Sequence, residues 1–345
     1  MKVAVLWPVW FPVPPTGYGG IEWVVSLLAD GLVEAGHDVT LFASGDSRTL
    51  ADLAFVYPIA PSADIGRAQV EIHHALGCFE RAAEFDVITD HSGPPAAVIA
   101  GAVSTPAVHT VHGPMLGEPG DVYEQVARVA PRTGLISVSM NQRKPHESLP
   151  WLANIPNALD FSFYPVQPRR GEYLLFLGRM NPEKGAHRAI AAAVEAGLPL
   201  KLAGKCREPA EELYFHEFVE PHLRAGEIEY VGEVTHGEKV ELLQDARATL
   251  FPIDWEEPFG LVMIESMACG TPVIATRRGS VPEVVEDGVT GIIVDDYLQM
   301  SAAIPRADAL EPLELRHRAE ARFSKERMVG DYVAAFEKAI AKSRA

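Results

Sequence analysis

The stretch from Glu257 to Val273 reads EPFGLVMIESMACGTPV, a pattern that predicts a loop, an apolar helix and the first residue of a strand. Pro258 fixes the backbone angle φ at the entry to the helix. The same pattern, with apolar runs bounded by Gly or Pro alternating with helical periodicity, extends through both halves of the chain. This alternation predicts an α/β protein with parallel sheets.

Two carboxylates lie eight residues apart on either side of the start of this helix, Glu257 on the loop and Glu265 inside the helix. Gly260 allows the backbone to come close to a ligand, and the N–H groups of the first helical turn attract anions and polar hydroxyls. Each carboxylate can accept hydrogen bonds from paired sugar hydroxyls. Helix capping and surface solvation are the alternative explanation for this pair.

The length of 345 residues favours two domains of about 150 residues each. A proline-rich stretch at Asn154–Glu172 marks the linker, so we expect domains at 1–165 and 170–324, with a final amphipathic helix at about 325–345. The predicted strands are Val3–Trp7, Val39–Ala43, Asp86–Thr89, Ala107–Val111, Leu135–Val138, Tyr173–Leu177, Leu200–Ala203, Tyr230–Val231, Thr249–Pro252, Val273–Ala275 and Ile292–Val294.

The composition restricts the classes of partner. With 47 acidic and 30 basic residues, the formal charge of −17 disfavours a nucleic-acid backbone or an anionic membrane. No leader pattern or apolar run of roughly 18 residues is present, so we expect a cytoplasmic protein without membrane insertion. Cys78, Cys206 and Cys269 match no metal or redox spacing and are interpreted as reduced thiols.

The turn Gly178–Gly185 reads GRMNPEKG and follows the first strand of the second domain. Arg179 and Lys184 would flank this turn at the carboxyl edge of the sheet, where a diphosphate could receive a fork of donors and a point charge. Stabilising the growing charge of a departing diphosphate lowers the barrier to sugar transfer. The alternative is that both are ordinary surface cations after a strand.

Small residues form the first loop of the chain, Gly17-Tyr18-Gly19-Gly20, just before Glu22. Amides of Gly19 and Gly20 could approach a phosphate or sugar, although a simple flexible turn is the alternative. A dinucleotide fingerprint would need glycine at the position of Glu22, which disfavours a nicotinamide oxidoreductase.

Two histidines occur at the end of the predicted strand Ala107–Val111. His109 and His112 are three residues apart, which puts them on opposite faces of an extended strand, so we do not expect a shared metal. His112, between the strand and Gly113, is the candidate functional residue. No Asp-x-Asp triplet occurs in the chain, so we expect a reaction without a metal ion or a tightly bound cofactor.

The Glu257–Val273 stretch resembles the donor-binding signature of the retaining glycosyltransferases of family 4, and the GRMNPEKG turn resembles the pyrophosphate-binding element of that family. The segment Val231–Val234 is similar to one whose backbone lies near the nucleotide base, and IPNALD at 155–160 resembles the family's hinge motif with Ala158 in place of glycine. The positions that match the donor signature are Glu257, Phe259, Gly260, Leu261, Glu265, Gly270 and Pro272.

The resemblance implies the GT-B fold, with two facing Rossmann-like domains, parallel sheets, a cleft between them and a last helix that crosses back to the acceptor-binding first domain. It implies that Arg179 and Lys184 bind the diphosphate, Glu265 the ribose, Val234 the region of the base, and His112 the sugar. Glu257 would bind donor-sugar hydroxyls, assisted by the amides listed with it in the signature, Phe259, Gly260 and Leu261.

The expected reaction is retaining transfer from a nucleoside-diphosphate sugar, with UDP the best candidate and GDP the next, to a hydroxyl of a small molecule or oligosaccharide. Within the family the chain looks most similar to bacterial antibiotic-tailoring members, which suggests an antibiotic oligosaccharide as acceptor. The alternatives are a nucleotide-sugar epimerase or hydrolase on the same fold, and a non-catalytic nucleotide-sugar-binding protein. The sequence does not indicate an oligomeric state.

Overall fold

The computed structural model describes residues 1–15, 19–167, 171–224 and 226–344. The chain forms two compact units, one made of Met1–Ala158 with Lys325–Ala345 and the other of Leu159–Ser324. The division lies before the boundary expected at 165, because the Leu159 N–H donates to the Phe323 carbonyl at 2.9 Å inside the second unit. Gly17 and Tyr18 of the first loop, and Arg169 and Arg170 of the expected linker, lie outside the described residues.

The first unit contains a parallel sheet in the order β3-β2-β1-β4-β5-β6-β7. Its strands are β1 (Lys2–Leu6), β2 (Asp38–Phe42), β3 (Asp52–Ala54), β4 (Val87–Asp90), β5 (Ala107–Val111), β6 (Gly134–Ser137) and β7 (Trp151–Asn154). Its helices are α1 (Gly20–Glu34), α2 (Ala68–Phe79), α3 (Pro94–Ala100), α4 (Glu118–Val129), α5 (Met140–Arg143) and α13 (Lys325–Arg344).

The second unit contains a parallel sheet in the order β10-β9-β8-β11-β12-β13. Its strands are β8 (Tyr173–Leu177), β9 (Leu200–Ala203), β10 (Ile228–Gly232), β11 (Ala246–Phe251), β12 (Val273–Thr276) and β13 (Gly291–Val294). Its helices are α6 (Ala186–Ala196), α7 (Pro209–Phe218), α8 (His236–Gln244), α9 (Leu261–Ala268), α10 (Val281–Val284), α11 (Met300–Asp308) and α12 (Pro312–Phe323).

The α/β class with parallel sheets is confirmed, and every predicted strand is present within a few residues of its predicted bounds. Most strands are buried along most of their length, as expected where helices cover both faces of a parallel sheet, whereas β3, β7 and β10 are only partly buried. β3 and β7 were not predicted. Asn154, placed in the linker by the sequence, instead ends β7, and its side chain accepts a hydrogen bond from the Ser137 hydroxyl at 2.7 Å.

The long C-terminal helix α13 packs in the first unit. A Cβ on Gly31 of α1 would lie 2.6 Å from a methyl carbon of Val329, so the glycine permits the close approach of α1 and α13. Tyr332 is buried and its hydroxyl lies 2.9 Å from the Thr110 hydroxyl of β5. The apolar face that includes Phe336 thereby completes the core of this unit.

Each sheet reverses its strand order once, and this determines where a ligand can bind. In the first unit the order reverses between β1 and β4, and in the second it reverses between β8 and β11. Loops that leave the carboxyl ends of such neighbouring strands turn to opposite sides and leave a crevice. Among the described residues, no helix has both the length and the apolar character needed to cross a membrane.

Candidate active site

Lys184 and Glu257 meet at the strand reversal of the second unit. Lys184 lies on the turn after β8, and Glu257 lies on the loop after β11, 73 residues later. The Lys184 ammonium donates to Oε2 of Glu257, and the indole Nε1–H of Trp255 donates to the same oxygen at 3.0 Å. The Lys184 Nζ also lies 4.9 Å from the centre of the Trp255 ring, a favourable cation–π distance. Glu257 Oε1 has no hydrogen-bond partner among the described residues.

The loop that carries Glu257 is held by backbone contacts. Ser280 donates its N–H to the Glu257 carbonyl at 3.0 Å and its hydroxyl to the Phe259 carbonyl at 2.7 Å. Gly279 has φ of 52°, and a Cβ there would lie 2.3 Å from the Glu257 nitrogen. Only glycine therefore allows the two backbones to approach this closely. These contacts fix the position of the carboxylate on a segment without regular structure.

Glu265 is the second carboxylate of the site and lies in α9 at 5% exposure. Its Oε1 accepts a hydrogen bond from the Tyr164 hydroxyl at 3.1 Å and another from the Lys239 ammonium. Its Oε2 is without a hydrogen-bond partner in the parts of the chain that the structure describes. Burial, followed by the charge of Glu265, raises the pKa of Tyr164, so the phenol stays protonated and donates.

Local structure explains why Lys239 and Tyr164 point to Glu265. Lys239 lies in the first turns of α8, which starts with a capping box between Thr235 and Glu238. Tyr164 follows a short 3-10 turn at Phe161–Phe163. The Arg316 guanidinium of α12 donates to the carbonyls of Tyr164 and, at 2.8 Å, Phe161, and so anchors this turn to the second unit.

The N-terminus of α9 separates the two carboxylates. Gly260 is the N-cap residue with φ of 78°, a left-handed conformation that favours glycine, and no side chain caps the helix. Phe259 is buried beside Gly260, and Leu261 is the first helical residue. The first N–H groups of an α-helix have no intrahelical acceptors, so this end can donate to an anion or hydroxyl.

Arg179 lies in the same turn as Lys184 but contacts a different carboxylate. A guanidinium nitrogen is 3.7 Å from Oε1 of Glu211, and 38% of the Arg179 side chain is exposed. The structure therefore leaves Arg179 accessible at the carboxyl edge of the sheet, as the sequence predicted. Val234 lies between the end of β10 and the Thr235 cap of α8.

Neutral aromatic side chains occupy the corresponding place in the first unit. His112, just after β5, has its Nε2 3.1 Å from Nδ1 of His91, and His91 Nε2 lies 3.1 Å from the Thr89 hydroxyl. The Trp7 ring meets His112 edge-on with ring centres 6.3 Å apart. Burial, with a smaller contribution from His109, lowers the pKa of His112 to about 3, and burial lowers the pKa of His91 as well. Both rings are therefore neutral at physiological pH.

His109 points to the other side of β5, as its spacing from His112 predicted. Its Nδ1 lies 2.5 Å from Asp90 and its Nε2 lies 2.9 Å from the Tyr123 hydroxyl, all inside the core. Gly19 and Gly20 start α1, and a Cβ on Gly19 would lie 2.8 Å from the Glu22 carboxylate. Within the described residues, no side chain caps the N-terminus of α1 at Gly19.

Four residues that the sequence does not single out contact the predicted site residues. Trp255, Lys239 and Tyr164 contact the two carboxylates, and His91 contacts His112. Tyr164 is 101 residues from Glu265, so no local pattern could have revealed that pair. Lys239 had a weak signal, because a lysine in the first turns of a helix opposes the helix dipole. Among the described residues, no group of three or more His, Cys, Asp or Glu side chains could hold a metal ion.

Two family models match the chain. The one described as glycosyl transferases group 1 matches residues 162–325, and the one described as glycosyltransferase family 4 matches residues 18–151. A phosphatidyl-myo-inositol mannosyltransferase of Mycolicibacterium smegmatis is 30% identical over 334 residues, covering 88% of this chain and 84% of the relative. A glycogen synthase of Mycobacterium tuberculosis is 28% identical over 375 residues, covering 92% and 89% respectively.

Solved structures of other proteins are also similar to this chain. AviGT4, a glycosyltransferase involved in avilamycin A biosynthesis, matches with a TM-score of 0.71 and 27% identity over 99% of this chain and 98% of its own. Anabaena HepE, solved in complex with UDP and glucose, matches with a TM-score of 0.76 over 98% of this chain and 100% of its own. HepE is 19% identical, so this second likeness concerns the fold.

Proposed function

This chain belongs to the GT-B glycosyltransferases, enzymes that transfer glycosyl groups, and we propose that it is a retaining member that moves a sugar from UDP to an acceptor hydroxyl. One observation carries the proposal. At the strand reversal of the second unit, each of two glutamates has one carboxylate oxygen bound by a lysine and an aromatic donor, while its other oxygen has no hydrogen-bond partner in the described parts of the chain. Each of these two unpartnered oxygens can accept hydrogen bonds from a pair of neighbouring hydroxyls, those of the ribose at one glutamate and those of the sugar at the other.

In this proposal the diphosphate binds to Lys184 and Arg179 and to the amides at the N-terminus of α9. The charge that develops on the leaving diphosphate is then stabilised by fixed cations and dipoles, which lowers the barrier to breaking the glycosidic bond. Because these groups are cationic, they supply the electrostatic role that a divalent metal would otherwise have. We therefore propose a reaction that needs no metal.

The glutamates divide the recognition of the donor. Glu265 accepts hydrogen bonds from the ribose hydroxyls, and Oε1 of Glu257 accepts hydrogen bonds from hydroxyls of the transferred sugar. Val234 lies near the base, and His112 contacts the sugar as a neutral imidazole. Retention would follow from same-face displacement, in which an oxygen of the leaving phosphate takes the proton of the acceptor hydroxyl. Oε2 of Glu257 already accepts two hydrogen bonds, so this oxygen is not a free nucleophile.

UDP is the proposed nucleotide, with GDP as the next candidate, and the likeness to AviGT4 supports an antibiotic oligosaccharide as the acceptor. The test incubates the purified protein with UDP-, GDP-, ADP- and TDP-sugars, with and without candidate acceptors, and measures diphosphate release. If the enzyme is a transferase, diphosphate should be released from one of the donors, and only when an acceptor is present. Release that is independent of any acceptor would identify a hydrolase, and sugar isomerisation without release would identify an epimerase.

A further inference from the structure

Lys239 and Tyr164 together hold one carboxylate oxygen of Glu265, and we call these two donors the Glu265 clamp. Both side chains donate to Oε1 and neither donates to Oε2. Lys239 and Glu265 have 20% and 6% of their side chains exposed, so the ion pair is well shielded from water. A carboxylate oxygen with two donors has little remaining capacity, and the next donor to arrive binds the other oxygen.

The clamp also fixes the angle of the carboxylate. Each of its donors comes from a different element, α8 for Lys239 and the 3-10 turn before Tyr164, and each element is itself held by a capping box or by Arg316. A terminal carboxylate otherwise rotates over a broad range about its last side-chain torsion. Because Oε1 is bound from two directions, Oε2 has one fixed orientation. The ammonium of Lys239 also compensates the buried negative charge of Glu265.

We propose that Lys239 and Tyr164 are the specificity-determining residues for the ribose of the donor, because they orient Oε2 of Glu265 toward the 2′ and 3′ hydroxyls. This inference rests on the proposed nucleotide-sugar function and extends it. It requires the enzyme to discriminate ribonucleotides from 2′-deoxyribonucleotides through the clamp, although neither Lys239 nor Tyr164 contacts the nucleotide in this scheme. They are positioning residues that act through Glu265.

The test measures binding of UDP and of 2′-deoxy-UDP by calorimetry to the full chain. Because a hydrogen bond to a charged acceptor is lost with the 2′ hydroxyl, wild-type protein should bind UDP about tenfold or more tightly. Lys239→Met should reduce this ratio to about twofold or less, and Tyr164→Phe should reduce it by a smaller factor because its hydroxyl carries no charge. Lys239→Arg should restore most of the ratio, since a guanidinium also donates to one carboxylate oxygen.

Lys201→Met is the matched control, because Lys201 lies on β9 of the same unit and its ammonium contacts a different aromatic residue, 4.1 Å from the centre of the Tyr173 ring. It should keep the wild-type ratio. If Lys239→Met does not fold, Tyr164→Phe carries the test. Wild-type protein that binds no nucleoside diphosphate would contradict the proposed function itself. Binding of UDP with no preference over 2′-deoxy-UDP would contradict the contact of Glu265 with the ribose, and with it the clamp. A wild-type preference that stays unchanged in Lys239→Met and Tyr164→Phe would overturn the clamp alone.

Discussion

The two strand reversals of this chain hold different chemistry on the same architecture. Between β8 and β11 the second unit has the ion pair Lys184–Glu257, and nearby Lys239–Glu265. Beside β1 and β4 the first unit has the neutral, hydrogen-bonded imidazoles of His91 and His112. Fixed charges suit a ligand that carries negative charge, whereas neutral rings suit the uncharged hydroxyls of a sugar. The sheet determines where a site forms, and the residues after each strand determine what it binds.

The largest expected effect is the loss of the cation at the second reversal. Lys184→Ala should reduce turnover about a hundredfold or more, because a preorganised charge no longer stabilises the leaving diphosphate. It also leaves Glu257 without its counter-ion, so initial rates should be measured together with thermal unfolding. Lys201→Ala is the control and should keep wild-type turnover. A Lys184→Ala enzyme within threefold of wild type would show that the charge contrast between the two units has no catalytic role.

A second change tests the carboxylate of the same unit. Glu265→Ala should weaken binding of UDP about tenfold to a hundredfold, since charge-assisted hydrogen bonds to the ribose are lost. Calorimetric titration of UDP measures this directly. Glu265→Gln keeps the shape of the side chain and should be intermediate. Affinity equal to that of wild type in the alanine variant would remove the ribose contact from the account.

The neutral pair of the first unit should respond less strongly. His91→Phe keeps an aromatic ring beside His112 but removes the nitrogen 3.1 Å from Nε2 of His112. We expect turnover to fall about three- to tenfold, the effect of one neutral hydrogen bond, with unchanged affinity for UDP. His73→Phe, at an exposed position of α2, is the control. A large loss of UDP affinity in His91→Phe would contradict a role of the imidazole pair that is restricted to the transferred sugar.

The pH dependence of stability tests the neutral state of the buried His112 without any ligand. His112 has its pKa lowered to about 3 in the folded chain, so below its ordinary value of about 6.5 the unfolded chain binds a proton that the folded chain does not. The free energy of unfolding should therefore fall as the pH falls from about 6.5 toward 3, by up to about 1.4 kcal/mol per pH unit for each such histidine. Denaturant unfolding of His112→Phe should show a shallower slope; an unchanged slope would contradict the low pKa.

The smallest effect is expected from metal removal. Because Lys184 and Arg179 supply the positive charge in this account, treatment with EDTA should leave the initial rate of transfer unchanged. Loss of activity that manganese or magnesium restores would contradict the metal-free scheme and would assign the electrostatic role to an ion. Zinc added back alone serves as a control for trace contamination.

The sequence predicted most of the strands because turn-forming residues and side-chain pattern mark where each strand begins and ends. Ala107–Val111 and Leu200–Ala203 were predicted with the bounds the structure has, since each follows directly after a proline and is followed within two residues by a glycine. β3 is missing from the prediction because its residues, Asp52–Ala54, are only partly buried and carry no apolar run. β7 was lost for a similar reason, as its four residues are half-buried and precede a proline-rich stretch.

The site was predictable only where function has a local signature. Arg179, Lys184, Glu257 and Glu265 could be proposed because each lies next to a glycine-marked turn or helix start. The partners of these residues could not, because a hydrogen bond such as that of Tyr164 to Glu265 depends on tertiary packing and not on spacing. His91 lies in no recognisable motif, yet its position after β4 brings it to His112 through the strand order of the sheet.

The most direct test of the central claim is a crystal structure of the chain with a bound UDP-sugar. Diphosphate oxygens should lie within hydrogen-bond distance, about 3 Å, of Lys184 Nζ and the Arg179 guanidinium, and ribose hydroxyls should lie at Oε2 of Glu265. A nucleotide bound elsewhere, with Lys184 still paired to Glu257 and Arg179 in solvent, would contradict it.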